Sequence, residues 1–161
     1  MSDVNLFTVE LQHDDSDPPG YACDFVRLAP LVGGEQIALN VGHMPPGESL
    51  CPYHYESGEE EWLVVLSGTV VVRTPEGERD AGAWDCVFFP AGEEGGHKIT
   101  NRSDEPARIF IWSNRSHPAT TIYPDSNKVG AWPPGKLFKL DTAVGYYEGE
   151  TSADASPSGS P

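Results

Sequence analysis

Positive charge is what this sequence has least of: ten lysines and arginines face 25 aspartates and glutamates in 161 residues, a formal net charge of −15. Such a chain repels nucleic-acid phosphates and anionic membrane surfaces, so a small molecule or a metal cation is the expected partner. Long apolar runs are missing as well, and none approaches the roughly 20 residues that span a bilayer. The start, Met1-Ser-Asp-Val-Asn5, has no basic stretch followed by an apolar one, which points to a cytoplasmic protein. Cysteines number only three, Cys23, Cys51 and Cys86, an odd set without close-pair spacing. That favours reduced thiols over a disulfide framework. Sustained helical periodicity with caps is absent too, so helix content should be low.

What the chain does have is a dense stretch from Gly47 to Gly68, which carries His54, Glu56, Glu59, Glu60 and Glu61 ahead of an apolar strand. Successive side chains of an extended chain alternate between faces, so His54 and Glu56 point the same way and could grip one ion. Glu61 would face the other way on an unbroken strand, but Ser57-Gly58 can bend the chain and reset the parity. Glu61, Leu63 and Val65 then share a face, and Glu59 and Glu60 read as solvated surface. A second histidine, His97, follows a Gly-rich loop and shares its strand face with Ile99 and Asn101.

Around these residues the sequence breaks into about eight short strands. Tyr21–Leu28, Glu35–His43, Glu61–Leu66, Thr69–Arg73, Trp84–Phe89, His97–Asn101 and Ala107–Trp112 are separated by Gly- and Pro-rich turns, and Thr74-Pro-Glu-Gly77 has the preferences of a type I turn in a hairpin. That spacing is expected of an all-β sandwich or barrel. Residues 1–20 are polar, with Leu6–Leu11 able to add an edge strand; residues 21–113 form the barrel. Residues 114–147 read as an aromatic, Pro-rich arm over the barrel or a second subunit, and residues 148–161 as a disordered tail. An arm that covers sheet edges suits a homodimer.

The combination resembles the cupins, small barrels built around two motifs. The first motif, Gly-x5-His-x-His-x(3 or 4)-Glu-x6-Gly, places His54 at its first histidine, Glu56 at its second, Glu61 at its glutamate and Gly68 at its end, with one extra residue after Gly47. The second, Gly-x5-Pro-x-Gly-x2-His-x3-Asn, is matched by Pro90-Ala-Gly92, His97 and Asn101, with four residues before the histidine and Gly82 at a loose distance. Cys51-Pro-Tyr-His54, Glu60-Glu-Trp62, Val65-Leu-Ser-Gly68 and Tyr123-Pro-Asp-Ser126 resemble a branch of small single-domain bacterial cupins. The resemblance implies a cupin jelly-roll barrel that holds a divalent metal on His54, Glu56, Glu61 and His97. Two imidazoles with one or two carboxylates suit Mn, Fe, Ni, Co or Zn. A carboxylate at 56 in place of an imidazole adds negative charge and favours harder ions, hence Mn or Fe; if Glu56 turns away, a two-histidine, one-carboxylate triad is left.

The expected function is a metal-dependent enzyme, of dioxygenase or isomerase type, on a small polar or carbonyl-bearing molecule. Its alternatives are a metal- or metabolite-holding module without turnover and a metal-free barrel. Asn101 is expected to tie a loop, His43 to sit in the core or a pocket wall, and His13 and His117 to be solvated. The cysteines are expected as core filler, with Cys51 near enough to His54 to border the pocket.

Overall fold

A computed structural model describes residues 3–151. Twelve strands follow in order: β1 Asp24–Arg27, β2 Ile37–Met44, β3 Tyr55–Glu56, β4 Glu61–Ser67, β5 Thr69–Thr74, β6 Gly77–Gly82, β7 Cys86–Phe89, β8 Lys98–Thr100, β9 Ala107–Asn114, β10 Ala119–Tyr123, β11 Lys128–Trp132 and β12 Lys136–Lys139. The single α-helical turn among the described residues is Ala29–Val32, where Pro30 starts a tight connection into β2. One wall of the barrel is a five-stranded antiparallel sheet in the order β1-β2-β9-β4-β7. The other is assembled from β12-β11-β10-β3 and β6-β5-β8. Residues 49–54 run antiparallel to 97–100 and join those two pieces, through bridges Ser49–Thr100 and His54–His97. This is the all-β architecture expected from the strand spacing, in the jelly-roll form that the cupin resemblance implies.

Alternation decides what faces inward. On β9, Ala107, Ile109, Ile111 and Ser113 are buried while their neighbours turn outward. Leu63 and Val65 of β4 join Met44, Val70, Val72, Phe89 and Ile99 in the main core, so Glu61, in phase with Leu63, also points into the barrel. His97, Ile99 and Asn101 are all buried, as their shared parity requires. Asn101 ties the loops at that end: its Nδ2 donates to the carbonyls of Met44 and Glu105, and its Oδ1 accepts from Ser103. Gly68 turns β4 into β5 at φ 77°, where an added Cβ would lie 2.7 Å from the Pro106 carbonyl oxygen. No side chain fits there.

Two segments differ from the sequence expectation. Leu6–Leu11 forms no strand; the Asn5 carboxamide accepts the N–H groups of Phe7 and Thr8 and curls the chain into a turn. Its apolar residues are still used, because Val4, Leu6, Val9 and Leu11 pack on Val26, Leu28 and Val41. Within residues 114–147, residues 119–139 are not an extended aromatic, Pro-rich segment but supply β10, β11 and β12 to the chain's own sheet, with β10 paired to β3. Pro133-Pro134-Gly135 is simply the turn between β11 and β12. Most of the expected disordered tail, residues 152–161, lies outside the described residues.

Candidate metal centre

The two walls deliver the site's residues from opposite sides. β4 of the five-stranded sheet carries Glu61; the stretch leading into β3 carries His54, and His97 stands just before β8. The crossing through Ser57-Gly58 moves the chain from one wall to the other, which is how residues of opposite parity, Glu56 and Glu61, both turn inward. His54 Nε2 lies 3.8 Å and His97 Nε2 3.4 Å from Glu61 Oε2. Donor atoms of His54, Glu61 and His97 all fall within 4.8 Å of one another.

Each of these groups is prepared for a cation. His54 Nδ1 is 2.9 Å from the Pro52 carbonyl and His97 Nδ1 is 2.9 Å from the Gly95 carbonyl. A carbonyl only accepts, so each Nδ1 carries the proton and donates it, and each Nε2 offers a lone pair to the centre. Burial holds both imidazoles in the neutral form: it lowers the pKa of His54, and pushes that of His97 down to about 3 with help from His54. The rings are also fixed from the side. Phe89 stacks on His97 with centroids 3.8 Å apart, and Tyr123 lies over His54 at 5.9 Å.

Glu61 Oε2 is buried without any hydrogen-bond partner. Burial, then the charges of Glu56 and Glu59, raises the Glu61 pKa to about 7. An orphaned carboxylate oxygen between two imidazole lone pairs is costly unless a cation satisfies it. The donor set therefore suits a divalent ion: two nitrogens and an oxygen within 4.8 Å of one another, the two His–Glu61 separations lying under the roughly 4.2 Å that two donors on one ion can span at bonds near 2.1 Å.

Glu56 points to the same side as His54, as expected, but stands apart from this set. Its Oε1 is 4.0 Å from His54 Nε2, and both carboxylate oxygens are taken by the Thr121 hydroxyl at 2.9 and 2.8 Å. Burial raises the Glu56 pKa to about 7 while the Thr121 bond opposes the rise. Cys51 borders the site, its Sγ 3.6 Å from His54 Nδ1. Burial, and then the Glu61 charge, pushes its thiol up to about 12, so it offers no thiolate at neutral pH.

A cavity of about 1020 Å³ opens beside the three donors; Leu50, Cys51 and Ile111 line it next to them. Its outer part is made by the exposed stretch Gln12–Asp17 together with Arg27 and Asn40. His43 sits on the Val41 face of β2, away from this cavity, and His13 bonds Asp24 at the surface. Phe89, Thr121, Tyr123 and the carbonyls of Pro52 and Gly95 complete the site, and nothing in the sequence pattern singles out Thr121 or the two carbonyls for it. Tyr123 carries a signal, inside Tyr123-Pro-Asp-Ser126.

Residues 40–113 match the Cupin_2 family model, described as a cupin domain. No curated protein sequence matches the chain. Among solved structures, a sugar phosphate isomerase from a cupin superfamily, from Silicibacter pomeroyi, is 24% identical with a TM-score of 0.77, covering 91% of this chain and 98% of its own. The polyketide cyclase RemF from Streptomyces resistomycificus is 20% identical with a TM-score of 0.61, over 74% of this chain and 83% of that one. A Cupin 2 conserved barrel domain protein from Salinispora arenicola is 21% identical with a TM-score of 0.55, over 73% and 91%. At such identities these relatives share the fold, and their differing activities assign none to this protein. With the two motifs placed on facing walls of one jelly roll and the family match lying over both, residues 40–113 form a cupin domain.

Proposed function

We propose that the protein holds a divalent metal on His54, Glu61 and His97 and acts through it on a small polar or carbonyl-bearing molecule, in dioxygenase or isomerase chemistry. The observation that carries this reading is the convergence of two imidazole lone pairs on a buried carboxylate oxygen that has no other partner. A bound ion would supply Lewis acidity, or one-electron chemistry with dioxygen if it is a redox metal. The protein's own share is positional. The Pro52 and Gly95 carbonyls fix the tautomers, Phe89 and Tyr123 fix the ring planes, and Glu61 balances part of the ion's charge. Two nitrogens, one carboxylate and open positions suit Mn or Fe, with Zn, Ni or Co also compatible.

The cavity's charge narrows the substrate class. Asp14, Asp15 and Asp17 line it against Arg27 alone, so a neutral polar molecule enters more readily than a phosphorylated one. The phosphate named for the Silicibacter relative's substrate is therefore not carried over to this chain.

Metal analysis of protein purified without a histidine tag tests the site. About one equivalent per chain is expected, falling to background in His97→Ala. Substoichiometric metal that His97→Ala does not lower further would overturn the proposal. Oxygen uptake by the Fe(II)-loaded protein with a panel of small carbonyl compounds then separates an enzyme from a metal-holding module.

A further inference from the structure

We infer that Thr121 and Trp132 hold the Glu56 carboxylate out of the coordination shell, so that the chain offers the ion three donors rather than four. This rests on the metal reading above and deepens it. The two residues belong to β10 and β11, outside the stretch that matches the family model.

The arrangement begins with strand register. Thr121 of β10 is the direct partner of Glu56 on β3, and directly paired residues project from the same face of a sheet. An indole N–H only donates, so at 3.1 Å the Trp132 Nε1 bond makes Thr121 Oγ1 an acceptor. The one hydroxyl hydrogen of Thr121 is then free to point at Glu56, where it lies between both carboxylate oxygens at 2.9 and 2.8 Å.

Trp132 reaches Thr121 because the position between them is empty. Gly130 pairs with Thr121 across the β10–β11 ladder, and a Cβ there would lie 3.1 Å from Trp132 Nε1 and 3.2 Å from its Cζ2. The indole occupies the space that any other residue's side chain would take. Gly130, Trp132 and Thr121 thus form a chain of positioning contacts that ends on Glu56.

The consequence concerns the ion's charge and vacant positions. Glu56 Oε1, 4.0 Å from His54 Nε2, is near enough to swing onto the metal, yet its carboxylate is held outside the set that His54, Glu61 and His97 make together. Withholding it removes one negative charge from the shell, keeps the ion a stronger Lewis acid and leaves a further position for substrate.

Cobalt(II) titration of metal-free protein, followed by visible absorption, tests this. Glu56→Gln should bind Co(II) within about threefold of the wild type with an unchanged spectrum. In Thr121→Val, nearly isosteric, the freed carboxylate should join the ion. Binding should tighten on the order of tenfold, and the d–d bands should weaken as the coordination number rises. Thr121→Ser keeps the hydroxyl and should restore the wild-type spectrum, which distinguishes positioning from a general packing defect. The inference is overturned if Glu56→Gln loses Co(II) as severely as His97→Ala, or if the folded Thr121→Val protein keeps the wild-type spectrum. Wild-type protein that binds Co(II) no better than His97→Ala would instead overturn the metal reading itself, and this inference with it.

Discussion

Glu61 and Glu56 are the same residue type, inward-facing, and each raised to a pKa of about 7 chiefly by burial, yet they stand on opposite walls and in opposite states of satisfaction. The five-stranded wall gives Glu61 no donor: it sits on a central strand, between Phe89 of β7 and Ser113 of β9 in register, with one oxygen orphaned. The wall completed by the C-terminal strands gives Glu56 a hydroxyl for both oxygens. A buried carboxylate without a partner is set to receive a cation, and one already bonded is set to stay where it is. Position in the motif assigns both residues to one shell; the partners on each wall separate them.

The sharpest way to break that contrast is Glu61→Gln. Losing the charged donor should weaken Co(II) or Mn(II) binding by about a hundredfold, whereas the same change at Glu56 should have almost no effect. Stability of the metal-free protein should move the other way. With an orphaned, buried charge gone, Glu61→Gln should gain about 1 to 2 kcal/mol at pH 8, read as a rise of a few degrees in melting temperature. Wild-type metal affinity in Glu61→Gln would erase the distinction between the two walls.

How much of this could be read beforehand follows the same divide. Alternation placed Glu61 with Leu63 and Val65, and His97 with Ile99 and Asn101, because a strand's period of two is a local property. The motif spacing from His54 to Gly68 fixes two of the three donors, His54 and Glu61, and the third, His97, arrives across the barrel through its pairing with His54. What faces Glu56 is not local: Thr121 lies 65 residues away and meets it only through the β3–β10 register. A lone threonine on a strand carries no chemical signature. Trp132-Pro-Pro-Gly135 reads as part of an extended arm because its prolines mask the hairpin that pairs Lys128–Trp132 with Lys136–Lys139. Leu6–Leu11 differs the opposite way: its apolar residues are used in packing, but Asn5 closes a local turn that a lone edge segment does not outcompete.

A smaller effect, tied to proton competition, sharpens the comparison. Burial disfavours the protonated form of both imidazoles, and the proton that a metal displaces near neutral pH is the one on Glu61, whose pKa is raised to about 7. Above that pH the carboxylate is already ionised. Below it, metal affinity should fall by about tenfold per pH unit, the slope of one displaced proton. Because the Glu56 charge is part of what raises Glu61, Glu56→Gln should shift the break in this profile to lower pH. Isothermal titration across pH 5.5 to 8 measures both, and a flat profile below pH 7 would remove Glu61 from the shell.

The smallest expected effect probes how far back the hold on Glu56 extends. Gly130 meets the site only through its backbone pairing with Thr121, and its φ is outside the positive-φ set, so alanine is conformationally allowed there. Its Cβ would nevertheless meet the Trp132 indole at 3.1 to 3.3 Å, closer than ordinary packing contact, and the ring must yield by a few tenths of an ångström. Any such shift lengthens a 3.1 Å bond to Thr121 that has little to spare. Gly130→Ala should therefore move the Co(II) spectrum part of the way toward that of Thr121→Val, with affinity changed about two- to threefold and stability by under about 1 kcal/mol. A spectrum identical to the wild type would mean that the indole yields without releasing its N–H bond, and that control of Glu56 begins at Thr121 and Trp132 rather than at the glycine beneath them.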